Sequence, residues 1–153
     1  MPEPIFQHSL RDPLTAAQRS ANMRAIKAFG TKPEKIVGRW ISRLRLKPAK
    51  HVHSLPGRPD FVFSSRRKIV FVYGDFWHGW RFPLWRTRLP RLYWRDKIER
   101  NRQRDRRNRR RLRLAGWDVL ILWEHQVRRR PEEACRKLRA FLLSSGVSST
   151  ASR

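Results

Sequence analysis

The chain reads as a helix, two strands, a helix, a strand and a helix, an order that predicts an α/β fold with a mixed central sheet flanked by helices on both faces. Three observations carry this. Residues 60–63 (Asp-Phe-Val-Phe) and 69–73 (Ile-Val-Phe-Val-Tyr) are short β-branched and aromatic runs divided by the polar turn 64–68, the pattern of a hairpin. Residues 93–115 form a long arginine-rich stretch stopped by Gly116, as a helix is stopped by a C-terminal glycine. The strongly apolar run 117–123 follows it and supplies a third strand after a helical crossover.

Taken in order, residues 1–14 contain prolines at 2, 4 and 13 and are expected to be a loose arm. Residues 15–29 read as a helix closed by Gly30. A second helix is expected over 33–46, with Pro33 in its first turn, Ile36, Trp40, Ile41 and Leu44 on one face, and Lys47-Pro48 ending it. Gly57 and Gly74 mark sharp turns or close approaches on either side of the hairpin. A last helix over 131–143 turns Ala134, Leu138, Phe141 and Leu142 inward, and the Ser/Thr-rich 144–153 has no apolar period and is expected to be a disordered tail. One domain over 15–143 is the result.

The size agrees, since 153 residues with 39% apolar content, 7 Trp and 8 Phe suffice for one modest core. Charge is the strongest compositional signal. Against 12 Asp+Glu stand 37 Lys+Arg, a formal net charge of +25, which demands a polyanion and makes DNA or RNA the expected partner. No anchor helix with a free apolar face gathers the arginines, and no run approaches a membrane span or a signal-peptide core, so a cytoplasmic, nucleoid-associated protein without membrane contact is expected. The single cysteine, Cys135, excludes an internal disulfide and a Cys-rich zinc site and is expected to be a small core residue.

Chemistry concentrates in two stretches, Ser54-Leu-Pro-Gly-Arg-Pro-Asp-Phe61 and Val70-Phe-Val-Tyr-Gly-Asp-Phe-Trp-His-Gly79. A Pro-Asp at a strand start and a histidine just past the neighbouring strand fall at one end of the sheet, the layout of a metal-dependent nuclease site. On its own, the first stretch reads equally well as a proline-rich turn capped by an aspartate.

These stretches, with Arg19-Ser-Ala-Asn-Met-Arg-Ala-Ile26, Trp94-Arg-Asp-Lys-Ile98, Arg104-Asp-Arg-Arg107 and Gly116-Trp-Asp-Val-Leu-Ile-Leu-Trp-Glu124, resemble the very-short-patch (Vsr-type) DNA mismatch endonucleases, a branch of the restriction-endonuclease-like PD-(D/E)XK nucleases. The likeness runs from about residue 19 to about residue 126. It implies a restriction-endonuclease-like sheet and a Mg2+-dependent endonuclease, with one or two ions, that nicks one strand beside a T:G mismatch left by deamination of 5-methylcytosine.

The resemblance also implies roles. Asp60 matches the direct metal carboxylate, the main-chain carbonyl of Val72 the one a threonine supplies in the family, and Glu34 the glutamate that reaches the metal through water. Taken alone, Glu34 would equally complement a helix N-terminus. His78 matches the histidine that handles the proton of the attacking water, and Asp105 the aspartate that orients it, although an i, i+4 ion pair with Arg109 is the ordinary role for that acid. Phe76, Trp77 and Trp94 match the aromatics wedged between base pairs, and Met23 and Ile26 those entering from the opposite groove. Core packing is the alternative for each aromatic, and the expected one for Trp40, Trp117 and Trp123. Arg24, Arg81, Arg86, Arg88, Arg91, Arg102 and Arg106 are expected on phosphates, giving salt-sensitive affinity with little sequence information.

Two departures stand out. Tyr73 occupies a position where the family commonly has histidine, and the expected zinc cysteines are replaced by Asp75, His125 and non-ligands such as Trp80 and Phe82. Asp75 and His125 alone cannot close a four-ligand site, so no structural zinc is expected, with Trp80, Phe82 and Trp85 packing in its place. One site per chain favours a monomer that nicks double-stranded DNA, with mismatch-repair proteins as candidate partners. The competing readings are a Vsr-like homing or restriction-type enzyme for matched sites, a DNA-binding module whose cleavage has decayed, and a basic RNA-binding protein.

Overall fold

The computed structural model of the protein describes residues 15–18, 30–89 and 92–145. Helix α1 spans Lys32–Arg43, strands β1, β2 and β3 span Ala49–Lys50, Phe61–Phe63 and Lys68–Tyr73, and a short helix α2 spans Phe82–Trp85. The long helix α3 covers Leu92–Leu114, strand β4 Asp118–Trp123, and helices α4 and α5 Glu124–Arg129 and Pro131–Leu143. Of the helix expected over 15–29, residues 16–18 are helical, residue 15 precedes the helix, and residues 19–29 fall outside the described residues, as do the 1–14 arm and the tail from 146.

The four strands lie in the order β1-β2-β3-β4. β1 and β2 pair antiparallel, as do β2 and β3 with Phe61 opposite Val70, while β3 and β4 run parallel with Val72 opposite Leu122. A parallel pair needs a crossover, and α3 provides it. Successive residues of β3 serve opposite faces, as strand geometry requires. Val70 and Val72 join Val37 and Ile41 of α1, Val127 of α4 and Leu138 and Leu142 of α5 in one core. Ile69, Phe71 and Tyr73 join Leu112 of α3 and Trp117 in the other. The mixed sheet covered on both faces is therefore the α/β fold expected.

Local differences have local causes. α1 ends at Arg43 rather than residue 46, because Leu44 and Arg45 bond back to Ile41 and Ser42 in tight turns and Arg45 adopts a left-handed φ of 56°. Its most deeply buried residues are Val37 and Ile41, with Ile36, Trp40 and Leu44 packed against them only in part. Edge strand β1 and helices α2 and α4 are too short to leave a period in the sequence. Lys68, assigned to the polar turn, instead opens β3 and is 1% exposed. Its ammonium donates to the Phe141 carbonyl and to the Ser144 carbonyl (2.7 Å) and hydroxyl (2.6 Å), capping the end of α5. Cys135 is half-buried rather than a core residue. No helix among the described residues is long and apolar enough to cross a membrane.

Candidate active site

Two adjacent residues of β3, Val72 and Tyr73, anchor the chemistry. β2 begins at Phe61, opposite Val70, so beyond that pair β3 has no strand partner on its β2 side and stays paired only with β4. Asp60, the residue before β2, takes over with its side chain: Oδ2 accepts the Val72 amide at 2.7 Å. The contact that Val72 makes with Asp60 is thus through its N–H. Burial pushes the Asp60 carboxyl up to about 7, with the Glu34 charge adding to the rise and the Val72 hydrogen bond opposing it.

Glu34 is 6% exposed and has two attachments. At the start of α1 its amide donates to the hydroxyl of the N-cap Thr31 (3.4 Å), while Oε1 accepts from that hydroxyl (3.3 Å) and Oε2 accepts the Gly30 N–H at 2.8 Å. The helix-terminus role open in the sequence is therefore real. So is its place in a cluster, because donor atoms of Glu34, His51 and Asp60 lie within 4.8 Å of one another. Two carboxyl groups and an imidazole so close, with the Asp60 carboxyl raised to about 7 mainly by burial, form a donor set that suits a divalent cation. His51 escaped the sequence reading. It lies nine residues before Asp60, and only the edge strand β1, too short to read, brings it alongside.

On Tyr73 the second half of the site is built. The His78 imidazole stacks on the phenol ring, centroids 3.9 Å apart and planes 3° from parallel, and His78 Nδ1–H donates to Asp105 Oδ2 at 2.7 Å. Because the carboxylate can only accept, Nδ1 carries the proton and Nε2 is left as the basic nitrogen. Asp105 is 6% exposed on α3 and offers Oδ1 to Arg104 at 3.3 Å. Arg109, its i+4 neighbour, donates to the Tyr73 hydroxyl. Burial, and the Asp105 charge after it, push the Tyr73 phenol far above its ordinary range, so it stays neutral.

The loop carrying His78 is fastened to α3. The Asn101 amide donates to the Trp77 carbonyl at 2.9 Å. Gly79 has φ +67°, and a Cβ there would come within 2.6 Å of Arg102 and 2.9 Å of Ile98. Gly57, φ +80°, similarly lets the Pro-Gly-Arg turn lie against Phe71 and Asn108, where a Cβ would be at 3.3 Å. Both glycines fall in the two quoted stretches, but only Gly57 is read from the sequence as a turn or close approach.

Phe76, Trp77 and Trp94 meet in one half-buried group, with centroids 4.9 Å apart for Phe76–Trp77, 5.7 Å for Trp77–Trp94 and 6.2 Å for Phe76–Trp94. Trp85 stacks on Phe76 at 5.7 Å. Arg81, Arg86, Arg88 and Arg106 are exposed. Arg102 is tied inward, bonded to Glu99 at 3.4 Å and lying over the Phe82 ring. Met23, Arg24, Ile26 and Arg91 lie outside the described residues.

At the positions where the resemblance implies zinc cysteines, His125 Nδ1–H donates to Asp75 Oδ1 at 2.8 Å and the His125 amide donates to the same oxygen at 3.4 Å. Trp80 lies over His125 at 4.6 Å and against Trp123 at 4.9 Å. Phe82 is 2% exposed and meets Trp85 edge-on at 5.1 Å.

Residues 11–83 match the family described as DNA mismatch endonuclease Vsr. Among curated proteins, the chain is 38% identical over 137 residues to the DNA mismatch endonuclease Vsr of Escherichia coli, covering 86% of this chain and 88% of the relative. It is 38% identical over 119 residues to the type II nicking enzyme V.XorIIP of Xanthomonas oryzae pv. oryzae, covering 77% of this chain and 88% of that protein. To the type II nicking enzyme V.NmeDIP of Neisseria meningitidis serogroup C it is 40% identical over 118 residues, covering 76% and 80%.

Proposed function

The chain belongs to the family of Vsr DNA mismatch endonucleases, and from that premise we infer that it nicks one strand of a DNA duplex beside a T:G mismatch, in a reaction that requires Mg2+ or a similar divalent ion. That it is a DNA endonuclease follows from the family. The observation that carries the finer reading is the anchoring of Asp60 on the Val72 amide and of His78 on the Tyr73 ring, which sets a cation-binding carboxyl and a basic imidazole nitrogen on consecutive residues of one strand.

In this reading Asp60, whose Oδ1 is not the oxygen bonded to Val72, would hold the divalent ion, with the Val72 carbonyl as a further ligand and Glu34 acting through water. When bound, the ion supplies a Lewis acid that neutralises charge developing on the scissile phosphate. His78 accepts the proton of the attacking water at Nε2. Asp105, through Nδ1–H, fixes the imidazole in the tautomer that can do so and stabilises the imidazolium that forms. Water attacks phosphorus, the P–O3' bond breaks, and the products carry a 5'-phosphate and a 3'-hydroxyl. One such site per chain cuts one strand.

Phe76, Trp77 and Trp94 would enter the stack at the mismatch, where unstacking costs least. Exposed Arg81, Arg86, Arg88 and Arg106 would hold flanking phosphates, giving affinity that falls steeply with salt. The test is Mg2+-dependent cleavage of labelled duplexes bearing T:G in varied contexts beside matched controls, with Asp60→Ala as blank. Nicking only beside T:G, absent in the blank, supports the reading. Cleavage of matched duplexes would replace it with a site-specific nicking enzyme, and binding without cleavage with a decayed DNA-binding module.

A further inference from the structure

We propose that His51 is a direct nitrogen donor to the divalent ion and makes this centre prefer a first-row transition ion such as Mn2+ over Mg2+. The inference rests on the reading of Asp60 as the metal carboxylate. Its starting point is the ring's position: His51 Nε2 lies 3.8 Å from Glu34 Oε2 and Nδ1 lies 3.9 Å from Asp60 Oδ1. An ion with bonds of about 2.1 Å holds its donors no more than about 4.2 Å apart. One ring offers one ion a single nitrogen, and the pair that falls inside that limit for direct binding is His51 Nδ1 with Asp60 Oδ1, while Glu34 lies within reach of a bridging water.

The surroundings decide which groups can approach. Asp60 Oδ2 is taken by the Val72 amide, which leaves Oδ1, the oxygen measured to His51. Glu34 is held by the Thr31 hydroxyl and the Gly30 N–H, so it acts most readily through water. His51 is fixed beside Asp60 by its own backbone, its N–H donating to the Asp60 carbonyl at 3.3 Å. Asp60 and His51 are then the two side chains placed to bind directly. Mg2+ favours a shell of oxygens and retains its waters, whereas transition ions gain from an imidazole nitrogen. A His–Asp pair backed by a water-bridging Glu should tilt the choice toward the transition ion.

The experiment uses the full-length, metal-free protein and Mn2+ as probe, followed by electron paramagnetic resonance, with Mg2+ as competitor. His51 has φ 50°, a left-handed conformation that asparagine tolerates, so His51→Asn removes the imidazole while keeping the turn. Pulsed spectra of bound Mn2+ should show nitrogen coupling that His51→Asn abolishes. Mn2+ affinity should exceed Mg2+ affinity by about tenfold or more and fall by about tenfold in the variant, with Mg2+ affinity changing only about twofold. Bound Mn2+ without nitrogen coupling, coupling that survives His51→Asn, or equal losses for both metals would overturn the assignment of His51. Asp60→Asn separates the two levels: if it bound Mn2+ as the wild type does, the metal-carboxylate reading itself would fall.

Discussion

Two histidine–aspartate pairs in this molecule are almost the same in length and opposite in setting. His78–Asp105 and His125–Asp75 both close through Nδ1, at 2.7 and 2.8 Å. Each imidazole also has an aromatic neighbour, Tyr73 for the first and Trp80 for the second, and Trp123 contacts both of those rings. Yet the first pair rests on the strand that also holds Asp60, whereas the second fills the position of absent cysteine ligands, with its aspartate bonded to both the ring and the backbone of His125. Hydrogen-bond geometry alone does not make a catalytic pair. Under the proposed function what distinguishes them is the task of the far nitrogen: that of His78 would take the proton of the attacking water, and that of His125 would take none.

The largest effect expected of this comparison is a separation of activity from stability. His78→Ala should lower the nicking rate by about 10²–10⁴-fold, the worth of a positioned general base, with duplex binding retained. His125→Ala should leave the rate within a few-fold and cost about 1–3 kcal/mol of unfolding free energy, as expected when a buried acceptor loses its donor. Single-turnover nicking and denaturant unfolding on both variants measure this. Equal loss of activity in the two would erase the distinction.

The aspartates should follow suit at smaller scale. Asp105→Asn keeps the shape but offers His78 the wrong tautomer, so the rate should fall about 10²-fold or more with stability little changed. Asp75→Asn should do the reverse, losing about 1 kcal/mol with nicking preserved. Removing metal with a chelator should likewise stop cleavage while leaving the fold around Trp80 intact, which near-ultraviolet circular dichroism reports; one tightly held zinc per chain would show instead that Asp75 and His125 belong to a metal site.

How much of this could be read from residues alone depends on the length of the signal. The hairpin, α3 and β4 have runs long enough to show their periods, and Asp60, His78 and Asp105 sit in or beside quotable motifs. His51 was not legible, because its relation to Asp60 exists only through a two-residue edge strand. Lys68 misled for the opposite reason: a charged residue after two serines and two arginines reads as turn, and only the carbonyls at the end of α5, 73–76 residues away, explain its burial. Asn101 and Gly79 likewise act through contacts with distant segments that carry no local pattern.

A pH dependence sharpens the contrast further. Asp60 is pushed up to about 7 without metal, above the ordinary carboxylate value. A carboxyl with a raised folded pKa favours the folded state most fully below its ordinary value of 3.8, and that contribution is lost progressively as pH rises from there to about 7 and levels off above it. Divalent ions reverse this, since they bind the ionised form. Mg2+ affinity should therefore climb by up to about tenfold per pH unit below 7 and level off above it, with proton release measurable by calorimetry in buffers of different ionisation enthalpy. Affinity flat between pH 6 and 8 would mean that Asp60 is already ionised in the free protein.

The smallest effect should come from Tyr73. Tyr73→Phe keeps a ring under His78 but removes the hydroxyl that accepts from Arg109. If the phenol took part in proton transfer, the change would match that of His78→Ala. The phenol is 5% exposed, held neutral and engaged by Arg109, so its contribution should be the flat surface that keeps the imidazole aimed, which phenylalanine supplies equally. Nicking should change by less than about fivefold, within the loss of one hydrogen bond of about 1 kcal/mol, and the pH profile should stay in place. Tyr73→Ala, which removes the surface as well, should fall further and bring the His78 pair closer in behaviour to a pair that merely holds structure.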